Sequence, residues 1–259
     1  MKRVYYYNDE VNDDFASTNG KINSDTVNGD YRYSHPSVGW KIASFFAYRV
    51  FATPLVWLYT KVWLGVRVKN RRALRKVKGC FVYMNHTQNI ADAFLPTISA
   101  FPKRAYVVTG PETVSIKGIR VLVALLGAVP LPSALSAYRN FEHRLKEARQ
   151  EKAAVFIYPE AHIWPYYTGI RPFSDASFHY PVKCGVPVFC FTNTYQRRRF
   201  SKKPRIVTYL DGPFYPNEDL PMRARKKELR DRVYETMRLR AQSSTVVQIE
   251  YIKREKENG

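Results

Sequence analysis

Residues 79–94 read GCFVYMNHTQNIADAF. The apolar run from Cys80 to Met84, rich in aromatic and β-branched residues, predicts a buried strand. It passes directly into Asn85-His86-Thr87-Gln88 and then into a helix-like segment that carries Asp92. His86 therefore stands at the carboxyl end of a strand, the edge where open α/β sheets bind their ligands. On one continuous helix, residues six apart would point about 240° away from each other. If His86 stays in the strand-exit loop and only Asp92 is helical, the carboxylate can fold back onto one imidazole nitrogen. That contact would fix the tautomer and leave the other nitrogen free as a base. The same spacing also fits a capping or core histidine beside an unrelated surface acid.

Working outward, further strands are expected at 105–109, 128–131, 154–158, 186–192 and 205–210. Helices are expected to about residue 100, from 121 to 126 as a buried segment, after Ser133 or Ser136 as cap, and from Asp219 and Pro221 onward. The last of these carries a narrow apolar stripe of Leu229, Val233 and Met237. Strands and helices alternating at this length indicate a single α/β domain with a mostly parallel or mixed sheet flanked by helices.

Two more blocks extend the pattern. Val155-Phe-Ile-Tyr-Pro159-Glu160 is a strand running into a Pro-Glu turn, and Gly185-Val-Pro-Val188 follows twenty-five residues beyond Glu160. Together with Asn85-His86 they resemble, in order and spacing from about Cys80 to Tyr195, the glycerolipid acyltransferase family, which includes 1-acyl-glycerol-3-phosphate and other lysophospholipid acyltransferases. The family's first block is Asn-His, four residues, then Asp. Here Ala91 holds the acid's place and Asp92 follows it, a slip that a loop can absorb.

The resemblance implies acyl transfer from an acyl thioester, acyl-CoA or acyl-carrier protein, to a hydroxyl of a lyso-lipid or related glycerolipid acceptor. No metal and no cofactor beyond that co-substrate is implied. His86 and Asp92 would form the catalytic pair; Asn85, Thr87, Gln88, Glu160, His162 and Arg171 would line the substrate site. Two departures bear on the acceptor. Ala161-His162-Ile163 replaces the family's Gly-Thr-Arg, leaving Arg171 as the nearest downstream cation. The second block, which ends in Arg in the family, falls on the uncharged 127–131, with Arg139 further on. Either other cations hold the phosphate, or the acceptor is not glycerol-phosphate-like. A catalytically silent membrane-surface lipid-binding protein of the same fold is the alternative.

The net charge of +20 calls for a polyanionic partner: nucleic acid, an anionic membrane surface or phosphate-bearing substrates. No zinc, RRM or KH signature is present, so no nucleic-acid partner is expected. Cys80, Cys184 and Cys190 lie in apolar strand-like contexts without ligand spacing and read as reduced core residues. No apolar stretch follows the basic start, so no secretory signal is expected.

Residues 1–35 are polar, carry a net charge of −2 and read as a disordered tail that leaves about +22 on the rest. Residues 36–66 change character, with Trp40, Phe45, Phe46, Phe51, Trp57, Tyr59 and Trp63 dominant. The uncharged run 50–60 is shorter than a span requires and contains Pro54, so the segment reads as a pair of membrane-interface helices; packing on the protein's own core is the other reading. Residues 67–259 would form the acyltransferase domain, with a charge cluster at Arg197–Arg199 in a loop and a frayed end. The expected location is the cell membrane, peripheral or monotopic on the cytoplasmic face.

Overall fold

The computed structural model describes residues 3–16, 27–116, 118–199 and 201–254, with Lys202 described by its backbone alone. Among these, nine strands follow in chain order: β1 (Arg3–Tyr7), β2 (Arg67–Lys69), β3 (Cys80–Met84), β4 (Ala105–Thr109), β5 (Ala128–Pro130), β6 (Ala154–Ile157), β7 (Val188–Arg198), β8 (Ser201–Phe214) and β9 (Ile249–Lys253). Seven of them form one mixed sheet in the order β2-β8-β7-β3-β6-β4-β5. The run from β7 to β5 is parallel, β8 is antiparallel to β7, and β2 is parallel to β8. The fold is α/β, with helices on both faces.

β3 is central, and all five of its residues are buried. A parallel strand covered on both faces has no solvent side, so its sequence is apolar throughout rather than alternating. Phe81 and Tyr83 point into one core with Phe141, Leu229, Val233 and Met237 from the helices Leu135–Gln150 and Met222–Ala241. Val82 and Met84 point into the other, with Leu95 of the helix Ala91–Ala100 and with Phe156 and Phe191.

Residues 38–63 form one continuous helix of 26 residues, Val38–Trp63, rather than a pair. By length and composition it could cross a bilayer, which the sequence reading excluded. Pro54 does not break it, because the turns on either side widen to i→i+5 bonding: Thr53 N–H donates to Tyr48 O and Leu64 N–H to Tyr59 O. The charges that bounded the uncharged run turn aside onto protein. Arg49 donates to the carbonyl of Pro102, and Lys61 Nζ to Val66 O at 3.0 Å. The helix is held along the domain by Ser44 Oγ donating to Leu125 O at 2.8 Å and Tyr48 OH accepting from Ala105 N at 3.0 Å. Further along, Tyr59 meets Phe94 edge-on, with ring centroids 6.0 Å apart.

Several expectations are corrected. The helix Arg120–Leu126 has no buried residue, because it packs beside the long helix rather than beneath the sheet. Ser133 and Ser136 do not cap the helix Leu135–Gln150; their hydroxyls accept from the amides of Val27 and Gly29. Arg197 and Arg198 continue β7 as a long hairpin arm instead of forming a loop.

The disordered-tail reading fails for residues 3–16 and 27–35, while 17–26 lie outside the described residues. β1 pairs in parallel with β9, so 249–253 is a strand rather than a frayed end; residues 255–259 lie outside the described residues. Phe15 stacks on Tyr5 and meets Trp164 and Tyr251 edge-on, and Val27 and Tyr33 are buried. Composition missed this docking because, apart from Val27, tyrosines and one phenylalanine rather than aliphatics supply the apolar contact. Because Phe15 is half-buried, Phe15→Ala is expected to lower the unfolding free energy by about 1–2 kcal/mol, below the 3–5 typical of a core phenylalanine. Urea unfolding measures it; an unchanged midpoint would mean a free tail.

Candidate active site

The strand β3 ends at Met84, and residues 85–90 form a tight loop before the helix Ala91–Ala100. This loop folds around one carboxylate. Asp92 Oδ2 accepts the amides of Thr87 and Gln88, each at 2.9 Å, and lies 2.9 Å from His86 Nδ1. Asp92 is only 1% exposed. A buried carboxylate is costly unless hydrogen-bonded, and three donors meet here on one oxygen. The amides come from the loop itself, so the additional residue before Asp92 is absorbed by wrapping the backbone around the acid. His86 keeps an 18% exposed side chain, and with Nδ1 on Asp92 its Nε2 is the ring nitrogen left for a substrate.

The imidazole is fixed from a second direction. Tyr158 stacks on it, with ring centroids 4.3 Å apart and an interplanar angle of 28°. Tyr158 OH donates to the backbone carbonyl of Asp92 at 2.6 Å. Burial pushes the Tyr158 phenol well above its ordinary pKa, so it serves as a neutral donor.

The residues expected to line the substrate site fall mostly elsewhere. Asn85 is fully buried and clamps β7: Nδ2 donates to Asn193 O at 3.1 Å, and Oδ1 accepts from Asn193 N at 2.7 Å. Thr87 is buried and accepts from Tyr195 OH at 2.7 Å, while Gln88 Nε2 donates to the same hydroxyl at 2.9 Å. Glu160 is buried, with Oε2 accepting the amide of His86 at 3.1 Å and Oε1 the amide of Arg171 at 3.0 Å. It positions the backbone of His86 rather than facing an acceptor.

Arg171 has no exposed surface. Its guanidinium donates to the carbonyls of Glu160, at 3.1 Å, of His162, and of Glu10, at 3.2 Å. It also sits 5.1 Å over the ring of Trp164. The expected phosphate clamp is thus spent on protein. Burial raises the pKa of Glu160 above the usual carboxylate range, with Arg171 and the two amides opposing, because a contact of 3.8 Å offsets desolvation only in part. Of the six expected substrate contacts only His162 keeps an open side chain, at 38% exposure.

Ala161 explains one departure from the family pattern. Its φ of +62° is the left-handed conformation that glycine, the family's residue there, adopts without strain. The backbone shape survives with alanine in place.

Sequence reasoning missed Asn193, Tyr195 and Tyr158. A signal for the first was present: Thr192-Asn193-Thr194 is a polar triplet inside an apolar strand, and all three residues are buried. Asn193 Oδ1 accepts from Thr208 Oγ1 at 2.6 Å, which ties β8 to the site.

Residues 65–192 match the family model described as Acyltransferase. The chain carries an acyltransferase-family domain. The recognition of the glycerolipid acyltransferase family from Asn85-His86, Pro159-Glu160 and the Gly185 strand is thereby borne out. The crystal structure of the 1-acyl-sn-glycerophosphate (LPA) acyltransferase PlsC from Thermotoga maritima is similar, with a TM-score of 0.52, 17% identity, and coverage of 80% of this chain and 81% of that one. That likeness shows a shared fold. Among curated proteins none matches the chain.

Because Arg171 and Glu160 are interior to the acyltransferase-family domain, Arg171→Gln strands a buried acid and is expected to cost about 3–5 kcal/mol of stability. Chemical denaturation checks this. A variant as stable as the parent, with only its acceptor KM raised, would restore Arg171 as a surface phosphate ligand.

Proposed function

We propose that this protein transfers a fatty acyl group from an acyl thioester, acyl-CoA or acyl-carrier protein, to a hydroxyl of a lyso-lipid or related glycerolipid acceptor. The observation that carries the proposal is the 2.9 Å contact between His86 Nδ1 and the buried Asp92 in an acyltransferase-family domain. With Nδ1–H committed to Asp92, His86 Nε2 accepts the proton of the acceptor hydroxyl as its oxygen attacks the thioester carbonyl carbon. The C–S bond then breaks, and the imidazolium returns the proton to the departing thiolate. The ester forms in one transfer, with no covalent enzyme intermediate. Asp92 orients the ring and stabilises its charged form.

The acceptor's phosphate, if it has one, is not met by Arg171 in this arrangement. That observation favours the second reading, a silent lipid-binding protein, only in part, since a silent scaffold has no need of a histidine held from three sides.

The site is proposed to work at a membrane, on the cytoplasmic face. The long helix exposes Ile42, Phe51, Leu55, Trp57, Val62 and Trp63. Because it is fastened to the domain at both ends, it lies along the surface, as a helix seated in the headgroup region would. The charge of +20 suits an anionic leaflet.

Incubation of the purified protein with labelled acyl thioester and a panel of lyso-lipids tests the reading. Transfer to at least one acceptor is expected, with His86→Ala about 10²- to 10⁴-fold slower. No transfer by the parent protein, or an undiminished rate in the variant, contradicts it.

A further inference from the structure

A cleft of about 640 Å³ opens where the amino ends of β4 and β5 meet the first half of the long helix. It lies at the amino ends of the strands, whereas His86 follows the carboxyl end of β3. Its walls hold five cationic side chains and two acids. Both acids are taken: Arg144 Nη1 donates to Glu147 at 2.9 Å and to Glu151 at 3.0 Å. Ser34 Oγ also donates to Glu147, and Tyr106 OH to Glu151.

The remaining four cations, Arg32, Lys41, Arg49 and Arg104, have no carboxylate at ion-pairing distance among the described residues. Arg104 is fixed in place over the rings of Tyr48, at 4.7 Å, and Tyr106, at 5.0 Å, and donates to Ser44 Oγ and Leu125 O. Its Nε is buried without a partner. A cleft whose guanidinium groups have no carboxylate counter-ion, with Arg104 held in place by its ring and carbonyl contacts, is complementary to a phosphate.

One wall of the cleft is apolar and leads outward. Trp40, stacked on His35 with centroids 3.8 Å apart, and Phe45 line the cleft and belong to the long helix. Phe45 is 55% exposed and Ile42 54%, so the cationic cleft borders on exposed apolar side chains of the long helix. An amphiphile with a charged head and apolar chains matches both parts; a free anion matches only one.

We propose that this cleft is a second, non-catalytic site for the headgroup phosphate of an anionic phospholipid, held by Arg32, Lys41, Arg49 and Arg104. The lipid's chains lie on the exposed side of the long helix, a course that rests on the membrane-face reading above, whereas headgroup capture does not. The site places one anionic lipid at a fixed position relative to the domain. That docks the chain with its long helix flat on the bilayer while the carboxyl end of β3 stays free for acyl transfer.

The indole N–H resonance of Trp40 reports on the cleft, since of the four tryptophans only Trp40 lines it. Its assignment follows from Trp40→Phe. The full chain is titrated with dihexanoylphosphatidate, dihexanoylphosphatidylcholine and inorganic phosphate at 150 mM salt. A saturable shift with dihexanoylphosphatidate alone is expected, weakened about 10- to 30-fold in Arg32→Ala/Lys41→Ala, whose two side chains are exposed. Arg223→Ala/Lys227→Ala, a charge-matched control on the helix Met222–Ala241, is expected to leave it unchanged. The same titration is expected in His86→Ala, so failure of the acyl-transfer reading leaves this result standing. An unmoved Trp40 signal, or equal weakening by the control pair, overturns the site. Saturation by inorganic phosphate at the same concentration overturns the lipid assignment, and equal binding of dihexanoylphosphatidylcholine overturns the requirement for an anionic head.

Discussion

Three hydrogen-bond donors converge on one oxygen of Asp92, and the arrangement around His86 depends on that convergence. Without it, the loop after β3 would have two unpaired amides beside a buried acid, a combination costing several kcal/mol. With it, the loop has one favoured path, and the imidazole has one favoured orientation. Neighbouring groups reinforce the same geometry. Glu160 takes the amide of His86, Tyr158 covers the ring, and Asn85 ties the loop's first residue to β7. The base is therefore held by several side chains that are themselves buried, which is how a site keeps its geometry before substrate arrives.

The fold was legible wherever burial controls residue type. β3 and β4 appear at their expected bounds because a doubly covered strand must be apolar from end to end. The stripe Leu229, Val233, Met237 is buried because a helix on a sheet must turn one narrow face inward. The readings failed where composition is a poor guide to contact. Residues 3–16 hold their place through rings and backbone bonds rather than aliphatic burial. The helix Val38–Trp63 runs through Pro54 because widened turns release the carbonyl that the ring would strike. The helix Arg120–Leu126 is apolar yet open, since it extends the exposed side of the long helix.

At the site, the catalytic pair was legible because strand, loop and helix can each be read locally. The roles of Glu160 and Arg171 were not. Both lie in a loop whose partners, Glu10 and Asp14 among them, come from more than 140 residues earlier, and no spacing rule reaches that far. The amino-terminal segment closes over this loop: Trp164 Nε1 donates to Asp13 O at 2.8 Å, and Ile163 N–H to Asp14 Oδ1 at 3.0 Å. The loop in turn donates from Trp164 N to His86 O, so the chain's beginning braces the site through one intermediate layer.

The central claim is that Asp92 fixes the proton of His86 on Nδ1 and leaves Nε2 as the acceptor. Nitrogen-15 chemical shifts of the His86 imidazole, in the neutral ring, test it most directly. The account predicts a protonated Nδ1 and a bare Nε2 in the parent protein, with that preference lost in Asp92→Ala. A parent ring protonated on Nε2, or a tautomer indifferent to Asp92, would contradict it.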